Sequence, residues 1–415
     1  MKQTKNVPQL RFSGFDDDWE EKKLGNVSDR VTRKNENLES TLPLTISAQY
    51  GLVDQITFFN NQIASTTNLR NYFLVKNGEF AYNKSYSAGY PWGAIKRLDR
   101  YEKGVLSTLY IVFKPKNINS DYLLSYYDTD KWYKQVSEIA AEGARNHGLL
   151  NIAPNDFFQT TFVAPMSEIE QQKIGAFLSH VDSLIQAKTK KLESLKAVKK
   201  SLLQKCFPKA GQKVPKMRFT GFSGEWEKKT IGEIAEIITG GTPSTSHEDY
   251  WFPKEIPWLS SGEVNKKYIL FTDDYISKKG FSNSSAHWIK SNSVLIALAG
   301  QGKTRGTVAI NMIPLTTNQS IAGIILNNEM DTNFVFQSLE RKYDAIRKMS
   351  SGDESRGGLN KQLVSEITFM CPPKFEEQQK IGQFFSKYDS LISSQQKEIA
   401  KLKDIKKSLL QKMFV

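Results

Sequence analysis

Residues 297–304 read Ala-Leu-Ala-Gly-Gln-Gly-Lys-Thr and have the residue types of a phosphate-binding loop, because they follow an apolar run and end in Gly-Lys-Thr. Such a loop needs a glycine at its first position and a helix whose N-terminus faces the phosphates. Here the first position is Ala297, and residues 305–310 indicate a loop and a second strand. We therefore expect a hairpin tip that presents Lys303 and Arg305, side chains that can pair with guanine.

A second motif with possible chemistry is Cys371-Pro372-Pro373, which resembles the Pro-Pro motif of amino-methyltransferases. Those enzymes hold the target amino group with an Asn or Asp before the prolines, and a cysteine cannot do this. We interpret the prolines as the start of a helix. The four histidines show no metal-ligand spacing, and no nucleophile elbow occurs. We expect no catalytic residue, no bound metal and no cofactor in this chain.

Polar and aromatic residues in several loops are typical of contacts to DNA. Asn and Gln can pair with adenine, Arg and Lys can pair with guanine, and Ser can bind a phosphate. An ordinary loop role is the alternative for each of them. The candidate DNA-binding residues are Lys84, Tyr86, Trp92, Arg145, His147, Ser260, Gln301, Lys303, Arg305, Gln319 and Arg356.

The elements that position these loops belong to an internal duplication, the feature that a sequence should be searched for first. Val-Pro-Gln-Leu-Arg-Phe-Ser-Gly-Phe at 7–15 recurs as Val-Pro-Lys-Met-Arg-Phe-Thr-Gly-Phe at 214–222, an offset of 207. Glu-Gln-Gln-Lys-Ile-Gly begins at both Glu170 and Glu377, again 207 apart. The chain is therefore two tandem copies, whereas the globular segments within them align only loosely.

Each copy combines a globular segment with a long helical pattern. Apolar runs such as 109–113 and 293–298 predict short strands in the globular segments. Apolar residues at spacings of three, four and seven then predict a coiled-coil seam in each copy, interrupted at Lys199 and Lys406 among other places. We expect the two helices to pair within the chain, and self-association between chains is the alternative.

Composition limits the class of protein. The chain has 415 residues with 39% hydrophobic and 11% aromatic residues, which is typical of a folded protein of two to four domains. The net charge of +13 favours a polyanionic partner, and most of it lies in the Lys-rich helical segments. Two cysteines, no apolar run of membrane-spanning length and no secretory signal predict a protein of a reducing compartment such as the cytoplasm.

These features together resemble the specificity subunit of a type I DNA restriction–modification system. The resemblance rests on the repeated openings around Trp19 and Trp226, on Gly-Gly-Thr-Pro-Ser at 240–244 and on the repeated helix starts and Ser-Leu-Leu-Gln-Lys helix ends. It implies an α+β fold, in which a mixed α/β target recognition domain followed by a long helix is duplicated in tandem. It also implies that the two helices pair as an antiparallel coiled coil.

The resemblance divides the chain into a first target recognition domain (1–165), a central helix (166–207), a linker (208–213), a second recognition domain (214–372) and a C-terminal helix (373–415). It implies that each domain reads one half of a bipartite, asymmetric DNA site and that the helices set the gap between the halves. Two modification subunits would carry S-adenosylmethionine and methylate adenine. Two restriction subunits would supply ATP-driven translocation and Mg-dependent cleavage.

Two other hypotheses remain open at this point. The chain could be a noncatalytic coiled-coil adaptor that does not read DNA. It could also be an enzyme that binds ATP or methylates a substrate alone, for which the 297–304 loop and the Cys-Pro-Pro motif are the only support.

Overall fold

The computed structural model describes residues 6–48, 50–60, 66–87, 89–140, 150–300, 303–349 and 358–415, with backbone alone at 66 and 67. Contacts along the chain divide it into two compact units. Unit 1 comprises Met1–Thr189 with Lys397–Val415, and unit 2 comprises Lys190–Gln396. Each unit thus contains one globular segment, the first part of the helix that follows it and the last part of the other long helix.

The globular part of unit 1 is built from short strands and short helices. Its strands are β1 (Glu20–Lys23), β2 (Ser28–Arg30), β3 (Leu44–Ser47), β4 (Gly51–Asp54), β5 (Phe73–Lys76), β6 (Phe80–Asn83), β7 (Ala94–Arg97), β8 (Lys103–Leu106), β9 (Ile111–Pro115) and β10 (Thr161–Ala164). Its helices are α1 (Leu24–Val27), α2 (Gln55–Phe59), the 3-10 helix Thr66–Asn71, α3 (Ser120–Tyr127), α4 (Tyr133–Ile139) and α5 (Pro154–Phe157). The long helix α6 (Glu168–Cys206) follows.

The strands of unit 1 pair antiparallel in a four-stranded sheet of order β2-β9-β6-β7 and in three two-stranded sheets, β1-β10, β3-β4 and β5-β8. The core is aromatic, and the rings of Phe80 and Phe113 stack 5.3 Å apart. Leu109 was expected to lie in β9 but is 61% exposed. The strand begins later because Ser107 accepts hydrogen bonds from the backbone of Leu109 and Tyr110, which forms a turn.

The globular part of unit 2 is also built from short strands and short helices, but its main sheet has five strands where that of unit 1 has four. Its strands are β11 (Glu227–Thr230), β12 (Ala235–Thr239), β13 (Ile256–Leu259), β14 (Tyr268–Ile269), β15 (Asp274–Ile276), β16 (Ser293–Ala297), β17 (Val308–Asn311), β18 (Thr316–Thr317), β19 (Ile321–Leu326) and β20 (Thr368–Cys371). Its helices are α7 (Ile231–Ile234), the 3-10 helices Glu248–Tyr250 and Ser261–Lys266, α8 (Lys278–Ser282), α9 (Thr332–Arg341), α10 (Tyr343–Lys348) and α11 (Lys361–Ser365). The long helix α12 (Phe375–Met413) follows.

The main sheet of unit 2 has the order β12-β19-β16-β17-β14, beside a three-stranded sheet β15-β13-β18 and the pair β11-β20. All five residues of β16 are buried, as expected for a continuous apolar run. Residues on both sides of the main sheet are buried, in one cluster with α9 and α12 and in another around Leu259 and Leu295.

The two copies share a frame at the places where the sequence repeats. In unit 1, Glu20 of β1 lies opposite Ala164 of β10. In unit 2, Glu227 of β11 lies opposite Cys371 of β20, and both residues are 207 positions later. Each copy therefore closes its globular segment with one antiparallel strand pair immediately before its long helix.

The repeated Glu-Gln-Gln-Lys-Ile-Gly sequence fixes the start of α6 to α3 in unit 1. The Gln171 amide oxygen accepts from the backbone N–H of Asn119, the N-cap of α3, at 2.9 Å, and its nitrogen donates to the Pro165 carbonyl at 2.8 Å. A Cβ at Gly175 would lie 2.6 Å from the nitrogen of Tyr122, so only glycine permits this approach of the two helices.

Unit 2 repeats this arrangement between α12 and α9. The Gln378 amide oxygen accepts from the N–H of Asp331, the N-cap of α9, at 3.1 Å, and its nitrogen donates to the Pro372 carbonyl at 3.3 Å. A Cβ at Gly382 would lie 2.3 Å from a carboxylate oxygen of Asp331. The prolines at 372–373 therefore join a strand to a helix, as predicted.

The long helices run antiparallel within the units. In unit 1, Lys188 of α6 contacts Glu398 of α12 at 2.7 Å, and Asp182, earlier in α6, contacts Lys406, later in α12, at 2.7 Å. In unit 2, Lys199 contacts Asp389 at 2.7 Å. The duplicated α+β architecture and the antiparallel pairing of the helices are thus confirmed. Among the described residues, no helix combines the length and apolar content that crossing a membrane requires.

Candidate nucleic-acid interface

One edge of the unit 2 sheet gathers several of the polar loops. Strand β19 pairs with both β12 and β16, so that Thr239 lies opposite Ala322 and Ala297 lies opposite Ile321. In the smaller sheet, Leu259 lies beside Thr317. The loops that follow β12, β13 and β16 and the loop that precedes β19 therefore meet at this edge, which we call the unit 2 edge.

Gly240 and Gly241 bring the first loop close to β18. A Cβ at Gly240 would lie 2.0 Å from the Thr317 carbonyl oxygen, and a Cβ at Gly241 would lie 2.3 Å from the Ser285 hydroxyl oxygen. The N–H of Gly241 donates to the Thr317 carbonyl at 2.8 Å. Only glycine fits at these two positions, and the close approach that the glycines allow sets the position of Thr242.

Thr242 and Gln319 form a polar pair at the unit 2 edge. The Thr242 hydroxyl donates to the Gln319 side-chain oxygen at 2.5 Å, and both residues are exposed. This bond fixes the amide plane of Gln319 and occupies one lone pair of its oxygen, which leaves the second lone pair and both N–H groups for another partner. Gln319 was predicted from its residue type, whereas Thr242 was not, although the preceding glycines are a signal that could have identified it.

Lys303 and Arg305 lie in the connection between β16 and β17. These strands are antiparallel neighbours, so the predicted hairpin is confirmed. A phosphate-binding loop would require a helix after β16, and the described residues of this connection, 298–300 and 303–307, form none. Lys303 is exposed, and its carbonyl accepts from the Tyr343 hydroxyl at 2.7 Å. Arg305 is half-buried and donates to the Arg347 carbonyl at 3.0 Å, so part of its guanidinium is held by α10.

Ser260 follows β13 and caps a 3-10 helix. Its N–H donates to the carboxylate of the buried Glu263 at 3.1 Å, and its hydroxyl lies 3.4 Å from the same oxygen. Glu263 also pairs with Lys266 at 2.8 Å. Ser260 is therefore at the same edge as Gln319, but its hydroxyl is engaged with the loop itself.

In unit 1 the corresponding candidates lie in the β6–β7 connection. Tyr86 is 62% exposed. Trp92 is half-buried against the aromatic core, and its carbonyl accepts from the Tyr82 hydroxyl at 2.7 Å. Lys84 donates to the Ile152 carbonyl at 3.2 Å, and burial lowers the pKa of its ammonium group. Tyr86 is thus the most available of the three side chains.

Four predicted contacts, Arg145, His147, Gln301 and Arg356, lie outside the described residues. The described candidates fall into two groups, one at the unit 2 edge and one in the β6–β7 connection of unit 1. Within unit 2, the structure brings Ser260 and Gln319 into adjoining loops, since the N–H of Asn318 donates to the Leu259 carbonyl at 3.0 Å.

Among the described residues, the cysteines and the acidic residues form neither a reactive thiol site nor a metal site. Cys206 and Cys371 are buried free thiols, and burial raises the pKa of Cys371 to about 12, which disfavours the reactive thiolate. No group of three or more His, Cys, Asp or Glu side chains among the described residues has the geometry of a metal site.

Comparison with known proteins finds a similar domain, similar sequences and a similar fold. Residues 223–404 match the model of the type I restriction modification DNA specificity domain. The specificity subunit of the Escherichia coli type I restriction enzyme EcoR124I/EcoR124II is 28% identical over 175 residues, 41% of this chain and 43% of that subunit. The MjaIX specificity subunit of Methanocaldococcus jannaschii is 29% identical over 199 residues, 46% of this chain and 44% of that subunit. Each match spans less than half of the relative's length.

The fold comparison extends over the whole chain. The crystal structure of a type I restriction–modification S subunit from M. genitalium superposes with a TM-score of 0.65 and covers 99% of both chains at 16% identity. Residues 223–404 therefore match the specificity domain of type I restriction–modification systems, and the whole chain, with its duplicated frame and its antiparallel helices, shares the fold of a type I S subunit.

Proposed function

We propose that this chain is the sequence-specific DNA-binding subunit of a type I restriction–modification complex and that it recognises a bipartite DNA site. One recognition domain would read each half-site, and the long helices would set the gap. The observation that carries this proposal is a repeated frame that holds two unlike recognition edges. Arg11 pairs with Glu170 at 2.7 Å, and Arg218 pairs with Glu377 at 2.8 Å. These ion pairs and the Gln and Gly contacts at the starts of the long helices recur at an offset of 207, whereas the loops differ.

The difference between the two edges favours an asymmetric target. The unit 2 edge presents the Thr242–Gln319 pair and Lys303, while unit 1 presents Tyr86 in a β-hairpin connection. Side chains of different hydrogen-bonding capacity select different bases. Two such edges are expected to select two different half-site sequences.

We also propose that two modification subunits dock on matched surfaces of this chain. Exposed apolar residues recur at equivalent positions, in four pairs 207 residues apart: Val7 and Val214, Leu10 and Met217, Leu184 and Leu391, and Val198 and Ile405. Exposed apolar groups are typical of protein–protein contacts when they cluster. The same set in each unit suits two copies of one partner.

Specificity subunits are the noncatalytic members of their complexes, and the chemistry is assigned to the other subunits. We propose that S-adenosylmethionine is bound by the modification subunits, that ATP and Mg are bound by the two restriction subunits, and that this chain binds none of them. The site of action would then be the bacterial or archaeal cytoplasm, where the DNA lies.

The test of the proposed function is selection from a random duplex library by the chain assembled with its modification subunits. We expect enrichment of one motif with two specified halves and a fixed gap of unspecified bases. A library that remains random after selection would favour the adaptor hypothesis, in which the chain assembles subunits without reading DNA.

A further inference from the structure

A group of four charged side chains, of which Lys199 and Asp389 are buried, joins the recognition domain of unit 2 to both long helices. Lys199 of α6, with 6% of its side chain exposed, lies 2.7 Å from Asp389 of α12 and 2.7 Å from Glu340 of α9. Lys267 contacts the same two carboxylates. We call these four residues cluster 2. Gln337 completes it by donating to Asp389 at 2.7 Å.

Unit 1 contains a second group with the same composition. Lys406 of α12 lies 2.7 Å from Asp182 of α6 and 2.7 Å from Asp128, the residue that caps the C-terminus of α3. Lys96 of β7 contacts Asp128 at 2.6 Å. We call these four residues cluster 1. Both clusters contain two lysines and two carboxylates, so each is balanced in charge.

The clusters are equivalent even where the repeat in the sequence is lost. Lys199 with Lys406 and Asp182 with Asp389 keep the offset of 207. Asp128 and Glu340 do not keep it, but each lies nine residues after the N-cap of its helix, Asn119 in one copy and Asp331 in the other. The loops of the two recognition domains differ, yet each domain places a carboxylate beside the equivalent lysine of a long helix: Asp128 beside Lys406 and Glu340 beside Lys199.

The position of each lysine has a physical consequence for the helix pair. An apolar seam of Ile, Leu and Phe tolerates displacement by one turn, because another apolar side chain then fills the same space. The Lys199 ammonium group, displaced from its carboxylates, would instead remain buried without compensation, which is strongly unfavourable. The Lys406 ammonium group, 17% exposed, would lose both of its ion pairs to Asp128 and Asp182. A single buried polar residue in a seam is known to select one register in this way.

We propose that clusters 1 and 2 set the register of the antiparallel helices and hold each recognition domain on them, so that these residues fix the gap between the half-sites. The part of this inference that concerns the gap rests on the proposed function. Lys199 and Lys406 are positioning residues and need not touch DNA. A recognition domain exchanged into this frame must then keep an acid nine residues after the N-cap.

The experiment removes one helix–helix pair without leaving an isolated charge. Lys406→Met with Asp182→Leu removes both charges of this pair together and retains the Lys96–Asp128 pair, so no carboxylate of cluster 1 is left without a lysine. Lys407→Met with Asp404→Leu is the matched control, because both of these residues are exposed. If the apolar variant does not fold, Lys406→Gln with Asp182→Asn removes the same two charges with a smaller change in shape.

The first measurement determines the register of α6 against α12 and needs no DNA. Lys188 and Glu398 are 2.7 Å apart, so a carbodiimide should join them in the wild-type full-length chain, and mass spectrometry can quantify the product. We expect the yield to fall at least fivefold in the cluster variant, with new links from Glu398 to a lysine about one turn away. The control variant should keep the wild-type yield.

The second measurement uses the chain assembled with its modification subunits and duplexes in which only the gap varies. We expect the cluster variant to keep its base preferences while binding to sites of the wrong gap rises at least tenfold relative to the correct gap. An unchanged cross-link and an unchanged gap in a folded variant would overturn the proposal. A wild-type assembly that selects no bipartite site would refute the proposed function instead, and the cross-link would still decide the register.

Discussion

Arg218 and Glu377 form a bidentate ion pair, with Nε–Oε1 and Nη2–Oε2 distances of 2.8 Å and with the Glu377 carboxylate almost fully buried. Arg11 and Glu170 form the same pair at 2.7 and 2.9 Å, 207 residues earlier. The arginine comes from the opening of each copy and the glutamate from the start of its long helix. The pair therefore fastens the two most strongly repeated parts of each copy to one another.

Removal of this arginine is expected to destabilise the fold. Arg218→Met leaves the Glu377 carboxylate buried without its cation, which should lower the free energy of unfolding by about 3–5 kcal/mol. Urea denaturation of the full-length chain measures the effect. Lys216→Met, at an exposed position two residues away, should change stability by less than about 0.5 kcal/mol. Equal midpoints for the two variants would contradict the role assigned to Arg218.

The glycines at the unit 2 edge give a second prediction. Gly240→Ala places a Cβ 2.0 Å from the Thr317 carbonyl, so the loop that carries Thr242 must move. We expect at least a tenfold loss of affinity for the cognate duplex. Gly262→Ala, in the 3-10 helix Ser261–Lys266 and with nothing within 4 Å of its Cβ, is the control and should bind as wild type. Similar losses of affinity in both variants would show that DNA binding does not depend on the close approach of Gly240 to Thr317.

Gln319 and Lys303 should affect DNA binding in different ways. Gln319→Ala should reduce discrimination at one base pair by about 1–3 kcal/mol, because an amide reads a base edge. Lys303→Ala should weaken binding to all sequences alike and lower the salt dependence of the affinity by about one unit of slope, as expected for a phosphate contact. Affinities measured for a panel of duplexes at several salt concentrations separate the two effects. A loss of base preference in Lys303→Ala would reverse this assignment.

The stability supplied by cluster 1 should depend on pH. Burial opposes ionisation of Asp128, but Lys96 and Lys406 outweigh it and lower its pKa, so this contribution is lost as the pH falls below about 4. Burial likewise opposes the charge on Lys406, but Asp128 and Asp182 raise its pKa, so its contribution is lost as the pH rises above about 10. The stabilisation should therefore be constant between these limits.

Urea unfolding of wild type and Lys406→Met between about pH 3 and 11 measures this profile. The difference in unfolding free energy should be largest on a plateau near neutrality and should shrink at both extremes. Lys407→Met, which alters an exposed neighbour, should differ from wild type by a small amount that does not change with pH. A difference for Lys406→Met that persists undiminished at pH 3 would exclude the pairing with Asp128 and Asp182 as its source.

The sequence predicts the frame better than it predicts the contacts within it. The offset of 207 locates both long helices and the Glu170 and Glu377 repeats, and the run at 293–298 predicts β16. From the sequence, Lys199 and Lys406 can be recognised only as polar residues that interrupt the apolar seams of the long helices. Their partners Asp128 and Glu340 could not be identified, because they lie in globular segments whose local offset is no longer 207.

The proposed DNA contacts are the least predictable part, because residue type does not show whether a polar group already has a hydrogen-bond partner. Lys84 and Ser260 have suitable side chains, yet the first donates to the Ile152 carbonyl and the second lies against Glu263. Thr242 was missed because its role depends on its contact with Gln319, 77 residues away. Such relationships arise from sheet topology, which brings distant loops to one edge.

The central claim is that each recognition domain reads one half of the target independently. Replacement of residues 20–160 by the recognition domain of another specificity subunit, followed by mapping of methylated adenines in the genome of cells that express the assembled system, tests it directly. The account predicts that one half of the methylated motif changes while the other half stays as in wild type. A motif that changes in both halves, or in neither half, would contradict it.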